Sequence, residues 1–194
     1  MKVSGLCGGS GAGKGTVCSI FREFGIDSID TDKLYHSLIS TDSECTKELV
    51  ATFGVEISAH PGINRQALRP IVFSSPDNLK KLNEITHRHI LAAIRDLLSR
   101  TKAQAIIIDA PLLFESGFNK ECDVTVCVIA DEALRIERII KRDGITKDVA
   151  KARIDSQIKN SELIKACDYA LENNSTENEL RDKIAKLYER LINN

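Results

Sequence analysis

The chain has 194 residues, 42% hydrophobic and 28% charged, with 27 Lys and Arg against 28 Asp and Glu and a formal net charge of −1. These proportions exclude general disorder and lack the basic footprint of a protein that grips nucleic acid by its phosphates. No apolar run reaches the roughly 20 residues of a membrane helix, and glycines interrupt the apolar start; a cytoplasmic protein without membrane or nucleic-acid partners is expected.

The first element is a short apolar strand, Val3 to Cys7, which leads through a glycine-rich turn into a helical stretch ending at Phe24. Ile26 to Asp30 is a second strand candidate. Residues 33–103 then read as helical. A long helix opens near Ser75-Pro76, where proline suits a first turn, and carries Leu79, Leu82, Ile85, Ile94, Leu97 and Leu98 as a stripe. Ala105 to Asp109 and Val124 to Ala130 are the third and fourth strands. A helix bearing Arg135, Arg138 and Arg142 follows. Thr146 to Asn160 also reads as helical, with only Val149, Ile154 and Ile158 as large apolar residues. So weak an anchor fits a mobile lid or a static surface helix. A weaker fifth strand, Tyr169 to Leu171, precedes a last helix. Thr176 and Glu179 form its capping box, and Leu180, Ile184, Leu187 and Leu191 recur on one face.

Continuous apolar runs of this kind suit strands buried on both faces of a parallel sheet, and their alternation with helices implies right-handed crossovers. The six cysteines show no C-x-x-C pair and the four histidines complete no metal-ligand spacing, so reduced thiols are expected.

The most specific signal is Gly8-Gly9-Ser10-Gly11-Ala12-Gly13-Lys14-Gly15-Thr16, set between a buried strand and a helix. Its glycines let backbone N–H groups face one concavity, the helix N-terminus adds positive charge, and Lys14 reaches the β- and γ-phosphates. Gly15 stands where a hydroxyl normally ligates Mg²⁺, and Thr16 comes one residue later. A nucleotide phosphate with Mg²⁺ is the ligand expected here. Asp32, beyond the second strand, is a candidate to accept a proton or to help hold the metal, whereas Asp30 also suits a plain helix N-cap. Asp109 ends its strand either as a carboxylate that holds Mg²⁺ directly or through water, or as a turn former. Arg138 and Arg142 are candidates to close over the γ-phosphate; the plainer reading of the arginine run is a solvated face.

Taken together, these residues resemble the dephospho-CoA kinase family. The resemblance rests on the phosphate loop, Asp30-Thr31-Asp32, Ile63-Asn64-Arg65, Leu68-Arg69 and Val72-Phe73. It continues through Asp109-Ala110-Pro111-Leu112-Leu113-Phe114-Glu115-Ser116, the arginines, Gln157, Asp168 and Asn173. It implies an α/β fold, a P-loop NTPase of three α/β/α layers with a five-stranded parallel sheet, a helical substrate-binding insertion and a short helical lid. The expected parts are a nucleotide core of residues 1–32, 104–142 and 162–194, a helical domain at 33–103 and a lid at 143–161. The implied reaction moves the ATP γ-phosphate to the ribose 3′-hydroxyl of dephospho-CoA. Asp32 would be the base, acting with Lys14, Arg138 and Arg142. Residues 8–16 and Asn173 would hold the nucleotide, and Asp32, Arg65, Arg69, His87, Pro111, Leu112 and Glu115 the acceptor. Three positions depart from the family's habit: Cys7 replaces a common threonine, Gly15 a usual serine, and Arg88 the proline of a His-Pro pair. The alternatives are another small-acceptor kinase on the same scaffold, such as a nucleoside monophosphate kinase, and a nucleotide-binding module without transferase activity.

Overall fold

The computed structural model describes residues 1–193. Its packing divides the chain into two compact units, one of Met1–Ile29 with the chain from Lys102 onward, the other of Asp30–Thr101.

The first unit is built on a five-stranded sheet of β1 (Lys2–Cys7), β2 (Asp27–Asp30), β3 (Ala105–Asp109), β4 (Val124–Ile129) and β5 (Tyr169–Glu172). The strand order is β2-β3-β1-β4-β5, and β1 lies parallel to both β3 and β4, as β4 does to β5. Period-two alternation gives the sheet two apolar faces. On one, Leu6, Ile107, Val126, Val128 and Leu171 pack against Val17, Ile20 and Phe21 of helix α1 (Lys14–Glu23). Leu180, Ile184 and Leu187 of the last helix join the same cluster. On the other face lie Cys7, Ile106, Ile108 and Cys127, all buried. A helix at Asn160–Ala166 lies against β4 through buried Leu163. The sheet between helices is the three-layer α/β/α arrangement expected. The last helix begins as its capping box predicts: Thr176 N donates to Glu179 Oε2 at 3.2 Å, and Glu179 N to Thr176 Oγ1 at 3.4 Å.

The second unit is helical: α2 (Thr31–Ile39), α3 (Glu44–Phe53), a 3₁₀ turn at Val55–Ile57, α4 (Arg65–Phe73) and α5 (Pro76–Arg100). Each helix starts on a side-chain cap, Asp30, Ser43, Asn64 and Ser75 respectively. Ile39, Leu49, Ile57, Leu68, Val72 and Ile85 form a core of their own. Helix α5 runs unbroken for 25 residues. At Arg88, where the resemblance led to an expectation of proline, the backbone N–H is kept, so no kink is forced. The Arg88 guanidinium pairs with Glu48 of α3, which also meets His89 Nε2 at 2.9 Å. Of the apolar stripe expected on α5, Ile85 and Ile94 are buried, whereas Leu79 and Leu97 remain partly exposed.

The remaining helices belong to the first unit: α6 (Glu132–Asp143), α7 (Lys147–Asp155), α8 (Asn160–Ala166) and α9 (Glu177–Asn193). The single helix expected over Thr146–Asn160 is thus broken after Asp155. Ala150 and Ile154 of α7 pack on Ile136 and Ile139 of α6, and Val149 faces outward. All six cysteines are free thiols. Among the described residues no helix is long and apolar enough to cross a membrane.

Candidate functional site

The carboxyl end of β1 runs into the loop at residues 8–13, and α1 begins at Lys14 behind Gly13, whose left-handed backbone (φ 98°) makes the turn into the helix. Lys14 and Cys18 lie one turn apart on α1 and face the same carboxylate at the end of β3. Lys14 Nζ is 3.7 Å from Asp109 Oδ1, and Cys18 Sγ donates to Asp109 Oδ2 at 3.6 Å. Period two puts Asp109 on the α1 face of the sheet with Ile107. Burial, then the neighbouring Asp109 charge, pushes the Cys18 thiol up to about 12. A Cβ built on Gly15 meets nothing within 4 Å, so the missing side chain there leaves room beside the loop.

Four side chains from outside the loop bond to it. Arg135 of α6 is 4% exposed; its Nε donates to Ser10 O at 2.9 Å and its Nη2 to Gln157 Oε1 at 3.0 Å. Arg138, one turn on, donates to Gly11 O at 3.3 Å and to Asn173 O at 3.0 Å. Asn173, just past β5 and 6% exposed, donates to Ala12 O at 2.8 Å. Gln157 follows α7 and doubles onto one loop residue, accepting from Ser10 N at 2.9 Å and donating to Ser10 Oγ at 3.1 Å.

Lys14, Asp109, Arg138 and Asn173 are therefore gathered around the loop. Arg142 is not among them: its guanidinium bonds Asp143 at 2.7 and 2.9 Å near the exposed end of α6. Pro111, Leu112 and Glu115 lie on an exposed turn after β3, anchored by fully buried Leu113. The spacing of Arg135, Arg138 and Arg142 marks one helix face, but periodicity alone does not tell that Arg135 is buried. That burial is a tertiary fact, set by the loop packed over it.

In the second unit Asp32 is exposed in the first turn of α2, behind Asp30, whose Oδ1 accepts from Lys33 N at 3.0 Å as the N-cap. Arg65 and Arg69 of α4 line a cleft of about 590 Å³ with Tyr35, Leu68, Phe73 and Leu82. Arg65 lies 3.4 Å from His36 Nδ1, and Arg69 sits 6.0 Å over the Phe73 ring. His87 is half-buried on α5 and is not part of that lining.

Mg²⁺ prefers oxygen ligands, keeps several waters, and usually takes one or two carboxylates with substrate phosphates rather than an all-protein cage. One carboxylate, Asp109, at the strand end beside the phosphate-loop lysine fits that donor set. No cluster of three or more ligating side chains exists among the described residues.

Comparison with known proteins gives this geometry a family. The dephospho-CoA kinase family profile matches residues 2–179. A dephospho-CoA kinase of Fusobacterium nucleatum is 38% identical over 188 residues, covering 96% of this chain and 97% of the relative. Among solved structures, a Thermus thermophilus protein superposes with a TM-score of 0.82 at 30% identity over 97% of each chain. A dephospho-CoA kinase from Campylobacter jejuni does so with a TM-score of 0.72 at 26% identity, covering all of this chain and 98% of the other. With a phosphate loop, its lysine and a strand-end carboxylate assembled on that fold, and matched over almost its whole length, the chain belongs to the dephospho-CoA kinase family.

Proposed function

We propose that this chain transfers the γ-phosphoryl group of ATP to the ribose 3′-hydroxyl of dephospho-CoA, yielding CoA and ADP. The family match over residues 2–179 carries this reading. In the transfer the bond between the γ-phosphorus and the β,γ-bridging oxygen breaks. A bond from the 3′-oxygen to that phosphorus forms, and the hydroxyl proton leaves to a base. Asp32, an exposed carboxylate at the start of α2, is that base. Lys14 supplies positive charge to the β- and γ-phosphates from the first turn of α1. Asp109 would hold Mg²⁺ through water; when bound, the ion offsets the charge on the phosphates.

The cleft in the helical unit is proposed for the acceptor. Its walls are apolar side chains, Leu68, Val72, Phe73, Leu79 and Leu82, and its cations are Arg65 and Arg69. That combination suits a molecule with a long, weakly polar arm and a pyrophosphate. His87, together with Pro111, Leu112 and Glu115 on the turn after β3, is assigned to the acceptor on the same resemblance. The segment at residues 143–161, containing α7, is proposed as the lid. Arg142 would reach a γ-phosphate only by exchanging Asp143 for it.

The test is an assay of the purified protein with ATP, Mg²⁺ and either dephospho-CoA or nucleoside monophosphates. Phosphate transfer to dephospho-CoA is expected; transfer only to a monophosphate overturns the reading.

A further inference from the structure

Three consecutive carbonyls of the phosphate loop are held from outside it: Ser10 O by Arg135, Gly11 O by Arg138 and Ala12 O by Asn173. A trans peptide unit points its C=O and the following N–H in opposite directions. Turning the Ser10 and Ala12 carbonyls outward therefore turns the Gly11 and Gly13 N–H groups to the other side of the loop. The N–H between them, on Ala12, closes a turn onto Gly9 O at 3.1 Å. The donors presented to an anion thus alternate, and the two clamps on Ser10 and Ala12 set their direction.

The clamps also carry electrical consequences. Arg135 is a buried cation whose hydrogen-bond acceptors, Ser10 O, Gln157 Oε1 and Asn160 Oδ1, are all neutral. Burying a charge without an opposite charge bonded to it is costly, and burial indeed holds this guanidinium below its ordinary pKa. A charge-assisted bond to Ser10 O polarises the whole peptide unit, so the Gly11 N–H becomes a stronger donor. Glycine makes room for both approaches: a Cβ on Gly9 would press on Arg135 Nη2, and one on Gly13 on Asn173 Nδ2.

We propose that Arg135 and Asn173 are positioning residues for the nucleotide, acting through the Ser10 and Ala12 carbonyls to aim and polarise the Gly11 and Gly13 N–H groups at its phosphates. Gln157 holds the second arm of Arg135 and ties the segment after α7 to the same loop residue. This assignment rests on the kinase reading for its nucleotide, but not on the identity of the acceptor.

The experiment compares the wild type with Arg135→Gln, Arg135→Lys and Asn173→Asp. It reads ADP affinity by calorimetry, KM for ATP and for dephospho-CoA, thermal stability, and the Gly11 and Gly13 amide proton shifts in the ADP complex. Arg135→Gln is expected to weaken ADP binding by about 10- to 100-fold while KM for dephospho-CoA stays within about twofold. The Gly11 amide proton should move upfield, and Arg135→Lys, which keeps the charge, should recover part of both effects. Asn173→Asp, nearly isosteric, should give the same signature at Gly13 and decides the matter if the Arg135 variants do not fold. Unchanged ADP affinity and amide shifts in folded variants overturn the proposal, as does a loss confined to thermal stability. A wild type that binds ADP but leaves dephospho-CoA unphosphorylated overturns the acceptor assignment alone, because the ADP measurements still report on the clamps.

Discussion

Lys14 and Cys18 divide the two oxygens of Asp109 between them, and the pair explains why a cysteine sits on the first turns of α1. The thiol is a weak donor that burial keeps protonated, so it adds no charge of its own beside the carboxylate. Cys18 and Cys122 are pushed up to about 12 and Cys45 to about 11, in each case by burial first. At pH 8 a thiol at about 12 is ionised to about one part in ten thousand. Iodoacetamide at that pH should therefore label these three slowly in the native protein and rapidly in urea; fast native labelling of Cys18 would contradict the geometry around Asp109. Asp32 is the residue on which turnover should depend most directly. Asp32→Asn is expected to lower turnover by about 10²- to 10⁴-fold, the usual worth of a general base, with ADP affinity retained by calorimetry. Equal turnover would move the base elsewhere. Lys14 and Asp109 were legible because motif and strand end fix their places in the chain. Arg135 was not, since one helix face of charge reads as solvated until the loop that buries it is known.

Helices α6 and α7 show how charge fixes an element that apolar contact holds only lightly. Between them the buried set is Ile136, Ile139, Ala150 and Ile154. Asp143 adds to this by bonding Arg142 beside it and Arg153 on α7, after which the chain turns through Gly144. Hydrogen bonds from Arg142 and then Arg153 hold the Asp143 carboxyl below its ordinary value. For a depressed carboxyl the sign is definite. The contribution is fully present above the unfolded pKa, about 4, and is lost as pH falls through the lower folded value. Wild type should thus melt at a higher temperature than Asp143→Asn at pH 7, and the gap should narrow progressively below about pH 4. A gap that persists undiminished at the lowest pH would show that the ion pairs are not its source. The caps of α5 and α9 could be read directly, because Ser75-Pro76 and Thr176 with Glu179 carry their own hydrogen-bond chemistry. The break between α7 and α8 could not: Ser156 to Lys159 contains neither glycine nor proline, and Gln157 there is turned to the phosphate loop instead of continuing the helix.

At the scale of the molecule, the apolar runs disclosed the strands but not their order, because β1, β3 and β4 are buried nearly throughout and nothing in such a run marks which neighbour it pairs with. What specifies the order is where the connections end, with the loop after β1 and the Asp109 end of β3 side by side in register. The two compact units also keep separate interiors. Leu6, Phe21, Val128 and Ile184 belong to one cluster, and Ile39, Leu49, Ile57 and Leu68 to another. Nucleotide contacts are proposed for the first and, apart from Pro111, Leu112 and Glu115, acceptor contacts for the second, so damage to one interior should separate the two functions. Leu49, fully buried in α3, tests this. Leu49→Ala removes three carbons from a packed site and should cost about 2–5 kcal/mol, the measured range for such a cavity. The loss falls on the helical unit. Calorimetric melting should then resolve a lower transition for that unit beside one that ADP still raises, with ADP affinity near that of the wild type. Turnover of dephospho-CoA should fall together with the lower transition as temperature is raised, because the cleft lined by Leu68 and Val72 shares that interior. A single transition, with ADP affinity lost in parallel, would mean instead that the two interiors unfold as one.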